Sequence, residues 1–176
     1  MASNVEIKAR AKDFTRQREL AEAMSDTAAE HMFQEDVFFN VPDGRLKLRS
    51  SGDSAGELIY YERGDVSGPR MSRYFIGRTE DRSSLKRVLS SSLGVYGLVR
   101  KYRTLFRVGD IRVHLDRVED LGDFIELEYV MRDDTVEGDA VRAVRDLMTR
   151  LCIRERDLID VAYIDLVLAG RPGTPR

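Results

Sequence analysis

Asp116-Arg117-Val118-Glu119-Asp120-Leu121-Gly122-Asp123-Phe124-Ile125-Glu126-Leu127-Glu128 is the stretch on which the fold turns. It reads as the ends of two strands joined by a short turn. Side chains alternate across a strand with a period of two, so Glu126 and Glu128 share one face while Ile125, Leu127 and Tyr129 share the other. Asp116 stands on the strand before. Carboxylates placed in this way are hard oxygen donors suited to Mg²⁺ or Mn²⁺. The same alternation also describes a solvated acidic face on an ordinary antiparallel sheet, so the rest of the chain has to decide between them.

Outward from this stretch the alternation recurs. Val5, Ile7, Ala9 and Ala11 oppose Asn4, Glu6, Lys8 and Arg10, which predicts a half-buried strand over 4–11. Asp13 is a candidate N-cap for a helix over 14–24. Phe33 to Val41 is aromatic and β-branched, ends at the turn signal Pro42-Asp43-Gly44, and pairs as a hairpin with 45–50. Strands are predicted at 57–63 and 70–76, separated by a loop at 64–69, and a helix at 81–93 with Gly94 and Gly97 at its exit. Strands at 98–108, 111–116 and 123–131 follow, then a helix at 137–151 and a short one near 155–159 leading into Ala162-Tyr163-Ile164-Asp165-Leu166. The plan is α+β: eight antiparallel strands in two groups, each group followed by a helix.

The chain has 176 residues and 42% hydrophobic content, enough for one domain with a substantial core. We expect a single domain over 4–168 and a disordered Pro/Gly-rich tail over 169–176. No apolar run is long enough for a membrane span, and Met1 to Arg10 predict no signal peptide. Cys152 stands alone, which excludes an intramolecular disulfide framework and fits a reducing cytoplasm. With only His31 and His114 available, a structural zinc site is not expected. Lys and Arg number 29 against 31 acidic groups, so the overall charge balance gives no sign of nucleic-acid binding.

The distribution of those charges is more informative than their sum. Strand after strand sets an apolar face against a face of full charges: Glu6, Lys8 and Arg10; Arg45, Lys47 and Arg49; Lys101 and Arg103; Arg112 and Asp116; Glu126 and Glu128. Eight strands close into a barrel just wide enough for a small ligand. With the charged faces inward, guanidinium forks and lysines would grip phosphate oxygens while carboxylates hold a divalent ion. With the charged faces outward, the same rows would be salt bridges on a curved sheet. Periodicity alone allows both. His114 is compatible with substrate contact, proton transfer or a satisfied strand histidine; Tyr60, Tyr61 and Tyr74 read as wall residues.

Asn4-Val5-Glu6-Ile7-Lys8 resembles the E-x-E-x-K signature of the CYTH family, the triphosphate tunnel metalloenzymes, which include class IV adenylate cyclases, thiamine triphosphatases and inorganic triphosphatases. Leu121 to Glu128 is similar to that family's L-G-x-F-x-E-x-E strand, and Arg45-Leu46-Lys47-Leu48-Arg49 and Lys101-x-Arg103 resemble its basic strands. The resemblance implies an eight-stranded antiparallel tunnel with helices outside. It implies Glu6, Asp116, Glu126 and Glu128 as ligands of Mg²⁺ or Mn²⁺, and Glu6, Lys8, Arg103 and Asp116 as catalytic residues. Lys8, Lys47, Arg49, Lys101, Arg103 and Arg112 would bind the triphosphate, with Arg10 and Arg63 as further basic candidates toward the rim. The implied reaction is ATP to cyclic AMP and pyrophosphate; hydrolysis of thiamine triphosphate or inorganic triphosphate, or non-catalytic binding, are the alternatives. Two departures stand out. Asn4 replaces the first Glu of the signature, and Tyr60-Tyr61-Glu62-Arg63 stands where the family often has a Lys. A homodimer is compatible with the family type, although no apolar stripe demands one.

Overall fold

A computed structural model describes residues 2–50, 54–64 and 68–170, except the Arg63 side chain. Its strands are β1 (Ala2–Arg10), β2 (Glu30–Phe39), β3 (Arg45–Ser50), β4 (Gly56–Arg63), β5 (Arg70–Thr79), β6 (Val95–Val108), β7 (Ile111–Val118) and β8 (Gly122–Val130). Its helices are α1 (Phe14–Met24), α2 (Arg82–Leu93), α3 (Glu137–Arg150) and α4 (Tyr163–Ala169), with a 3-10 turn at Glu155–Asp157. The strands form one closed antiparallel barrel in the order β1-β5-β4-β3-β2-β6-β7-β8. Closure depends on β1, which pairs with β5 through Val5↔Met71 and with β8 through Lys8↔Glu126 and Glu6↔Glu128.

Orientation is settled by where the apolar faces go. Val5, Ile7, Val113, Leu115, Ile125 and Leu127 are buried on the outside of the barrel under Ala21 of α1 and Ala140, Val144, Leu147 and Met148 of α3. Leu85 and Leu89 of α2 cover Val37, Phe39 and Leu48 of β2 and β3. Removing that apolar surface from water is the main term holding the helices to the sheet. The charged alternates therefore turn inward. Asp13 caps α1 by accepting from Arg16 N, and Asp81 caps α2 by accepting from Ser84 N.

Several boundaries differ from the pattern-based ones. β2 starts at Glu30 and β6 at Val95, because strand pairing between them carries backbone hydrogen bonds past the apolar run, from Glu30↔Leu105 to Phe39↔Val95. The short helix near 155–159 is a three-residue 3-10 turn, and Tyr163–Ala169 is helical. Gly94 has φ 75 and ends α2, as expected of a glycine at a helix exit. Gly97 lies inside β6, where a Cβ would come 2.5 Å from Ile164 Cδ1 of α4. Ala162, Tyr163 and Ile164 pack with Phe38, Val99, Val118 and Phe124, and Arg45 ties Asp165 of α4 at 2.6 Å. The expected turn at 51–56, loop at 64–69 and tail at 169–176 fall partly outside the described residues. Among the described residues no helix is long and apolar enough to cross a membrane.

Candidate active site in the barrel lumen

The inward alternates line a cavity of about 250 Å³ reached by six of the expected basic residues: Lys8, Lys47, Arg49, Lys101, Arg103 and Arg112. Glu6, Glu126 and Glu128 line the same cavity. Cations outnumber carboxylates there, and the ion pairs show how the excess is held.

At the base of the lumen Arg103 grips Asp116 with two bonds, Nε to Oδ1 and Nη2 to Oδ2, both 2.6 Å. The two residues are register partners on β6 and β7. Arg103 Nη2 also reaches Glu126 Oε2 at 2.5 Å, and Lys8 Nζ holds Glu126 Oε1 at 3.1 Å. Tyr163 donates its hydroxyl to Asp116 Oδ2 at 3.0 Å, while Lys8 Nζ sits 3.9 Å from its ring centroid. Burial alone would raise the Glu126 carboxyl, but the charges of Lys8 and Arg103 hold it well below the usual range.

A second cluster surrounds Asp36 on β2. Arg49 donates from Nε and Nη2, each at 2.8 Å, and Lys47 donates at 3.0 Å. One carboxylate thus serves two cations. Arg49 takes the bidentate share, and Lys47 is the less compensated. Burial, with the Arg49 charge beside it, lowers the Lys47 ammonium from 10.5 to about 7. Arg70 closes a third contact, Nε to Glu6 Oε1 at 3.6 Å and Nη1 to the Asp160 carbonyl at 2.9 Å.

Near the Glu126–Glu128 pair, His114 lies opposite Glu126 in the β7–β8 register. Its Nδ1 is 3.8 Å from Glu126 Oε2 and 3.7 Å from Glu128 Oε1, and one donor atom from each of the three residues lies within 4.8 Å of the others. Nδ1 is buried without a hydrogen-bond partner, as is Asn4 Oδ1, on a side chain that lines the cavity. One imidazole nitrogen and two carboxylates suit a divalent cation, more so one accepting nitrogen donors such as Mn²⁺.

The expected residues thus fall into four groups. Lys8, Lys47, Arg49, Lys101, Arg103, Arg112, Glu6, Glu126 and Glu128 are brought together in the lumen. Asp116 is fully buried behind Arg103, with both oxygens hydrogen-bonded. Arg10 does not reach the cavity: it lies at the end of β1, over the Phe124 ring at 5.1 Å and bonded to the Leu121 carbonyl at 3.4 Å. The Arg63 side chain lies outside the described residues. Asp36, Tyr163 and Arg70 were not anticipated. Asp36 shares parity with Gln34 and Phe38, a signal masked by the apolar run around it, and Tyr163 follows a segment without a clear period.

An antiparallel barrel whose lumen interleaves cations and carboxylates, with its apolar faces under helices, defines a charged tunnel protein. The chain belongs to the CYTH domain family, whose model matches residues 2–163. A protein of Methanocaldococcus jannaschii named as a candidate adenylate cyclase is 25% identical over 170 residues, covering 92% of this chain and 97% of that one. A protein of Pyrococcus horikoshii shares the fold with a TM-score of 0.82 and 23% identity over 93% of this chain and 98% of its own. A Hippeastrum candidate adenylyl cyclase described as having a dominant triphosphatase activity shares it with a TM-score of 0.66 and 14% identity, over 97% of each chain. CYTH family members are adenylate cyclase-like or triphosphatase enzymes that use divalent metals.

Proposed function

We propose that the protein is a divalent-metal-dependent enzyme of the adenylate cyclase type, converting ATP to cyclic AMP and pyrophosphate within the tunnel, as a single domain in the cytoplasm. The observation that carries this is the convergence of six basic side chains and four carboxylates, Asp36 among them, on one cavity. Lys8, Lys47, Arg49, Lys101, Arg103 and Arg112 hold the phosphate chain and neutralise charge on the departing pyrophosphate. Glu126, Glu128 and His114 are the residues that would hold Mg²⁺ or Mn²⁺, with Glu6 beside Glu128 in the register. Such an ion, when bound, polarises phosphoryl oxygens and orients the chain for displacement. A phosphate chain entering the lumen takes Lys8 and Arg103 as partners, which releases both oxygens of Glu126 from their present ion pairs. Cyclisation makes the O3′–Pα bond and breaks the Pα–O bond to pyrophosphate, the hydroxyl proton passing to solvent. Asp116 serves here as a positioning residue for Arg103.

The second reading is a triphosphate hydrolase, supported by the activity described for the Hippeastrum relative. Incubating the purified protein with ATP, thiamine triphosphate and inorganic triphosphate, with Mg²⁺ or Mn²⁺, separates the two. Cyclic AMP with pyrophosphate is the expected result, orthophosphate indicates the hydrolase, and no turnover of any of them overturns both. Glu126→Gln combined with Glu128→Gln is expected to abolish metal-dependent turnover, and wild-type rates in that variant would remove the pair from the site.

A further inference from the structure

Among the described residues that line the lumen, Ala162 and Tyr163 alone come from outside the strands. They sit at the end of the barrel where the inward alternates Phe38, Val99, Val118 and Phe124 are apolar and pack against α4. The same segment is tied to β1, since Ile159 N donates to the Lys8 carbonyl at 2.8 Å. Tyr163 is 6% exposed, and its ring meets Phe124 edge-on at 4.9 Å. From this fixed place it touches three charged groups. Its hydroxyl donates to Asp116 Oδ2, the carboxylate that grips Arg103. Its ring centroid lies 3.9 Å from Lys8 Nζ and 5.2 Å from Lys101 Nζ, both within cation–π range. Burial, and then the Asp116 charge, push the phenol well above its usual range, so the hydroxyl remains a donor.

We propose that Tyr163 is a positioning residue for the reaction, holding Lys8 by its ring and Arg103, through Asp116, by its hydroxyl while a phosphate chain is bound. The inference rests on the polyphosphate function proposed above and adds this residue to it. In the free protein Glu126 also orients Lys8 and Arg103. A phosphate chain that takes over those two cations removes that restraint. Neither contact of Tyr163 competes with phosphate. An ammonium over a ring face keeps its N–H groups free for phosphate oxygens, and the hydroxyl acts on Asp116, behind Arg103. The charge of the lumen does not depend on Tyr163, so affinity for the phosphate chain does not either. What depends on it is the aim of two cations at the charge developing on the leaving group, which is felt in the transition state.

The test uses the full chain and whichever of ATP, thiamine triphosphate and inorganic triphosphate the wild type turns over with Mg²⁺ or Mn²⁺. Tyr163→Phe keeps the ring and removes only the hydroxyl, and melting curves verify that it is folded. It is expected to lower kcat by about tenfold or more, the scale of one hydrogen bond to a charged group, while KM changes by less than about twofold. In an Asp116→Asn background the same substitution is expected to lower kcat by less than about twofold, because the hydroxyl acts through that carboxylate. The ring is tested by NMR, without turnover. The Lys8 ε-methylene protons, shielded by the ring, are expected upfield of those of an exposed lysine, and to stay there when inorganic triphosphate is bound in the absence of metal. Unchanged kcat in Tyr163→Phe, a raised KM with kcat intact, or an equal loss in the Asp116→Asn background overturns the proposal and leaves the polyphosphate function standing. So do Lys8 resonances at exposed-lysine positions, before or after triphosphate binds. A wild type that neither binds nor turns over any of the three overturns that function and the proposal with it.

Discussion

At Asp36 two cations share one carboxylate, and the consequence can be measured at a single residue. Arg49 takes both oxygens, and burial, with that like charge beside it, lowers the Lys47 ammonium from 10.5 to about 7. At pH 8 the free protein therefore holds Lys47 largely neutral. A bound polyphosphate supplies the missing negative charge and raises the Lys47 pKa, so binding takes up a proton. Calorimetry of Mg²⁺–ATP binding at pH 8, in two buffers of different ionisation enthalpy, is expected to show uptake approaching one proton, falling toward zero by pH 6 and absent in Lys47→Met. Equal uptake in that variant would assign the proton elsewhere. Asp116 teaches a related lesson about residue type. A carboxylate beside a glutamate pair reads as a metal ligand, yet Arg103 occupies both of its oxygens and Tyr163 one of them again. Sequence supplies donor atoms but not their prior commitments. His114 shows the converse, since its Nδ1 is buried without a hydrogen-bond partner and faces two carboxylates.

At the scale of elements, α4 meets the barrel through one contact that a substitution can isolate. A Cβ on Gly97 would stand 2.5 Å from Ile164 Cδ1 and 3.5 Å from Cγ1, and Ile164 is fully buried. Gly97→Ala is expected to destabilise the protein by about 1–3 kcal/mol, the usual cost of overpacking a core. Ile164→Val removes the clashing methyl and is expected to restore part of that loss in the double variant. Urea denaturation of the two single variants and the double variant checks this, and strictly additive losses would contradict the contact. The strands around this junction were legible because a period of two is a strong local signal: Val5, Ile7 and Ala9 oppose Glu6 and Lys8 without exception. The first three residues of β6 and the start of β2 were not, because cross-strand hydrogen bonding rather than side-chain pattern extends them. α4 was missed because its Tyr163-Ile164-Asp165-Leu166 run fits strand and helix equally, and its helical state depends on packing over Gly97, Val99 and Phe124.

For the molecule as a whole, the alternating charges allowed an inner or an outer ionic face, and burial of the opposite faces under α1, α2 and α3 decides for the inner one. Closure through β1 then gathers residues more than a hundred positions apart, such as Lys8 and Glu126, into one cavity. No local pattern carries that information; in this chain it came from the ordered set of motifs and from the barrel that they imply. The most direct test of the inward orientation uses adjacent residues of β6. Arg100 is exposed and pairs with Glu35 on the outer surface at 2.9 Å, whereas Lys101 is buried and lines the lumen. Equilibrium binding of Mg²⁺–ATP is to be compared in Lys101→Met, in Arg100→Met and in the wild type. The expected result is an affinity loss of about tenfold or more for Lys101→Met, the scale of one charge-assisted bond, and less than about twofold for Arg100→Met. Equal losses in the two variants, or none in Lys101→Met, would contradict an ionic lumen that receives the phosphate chain.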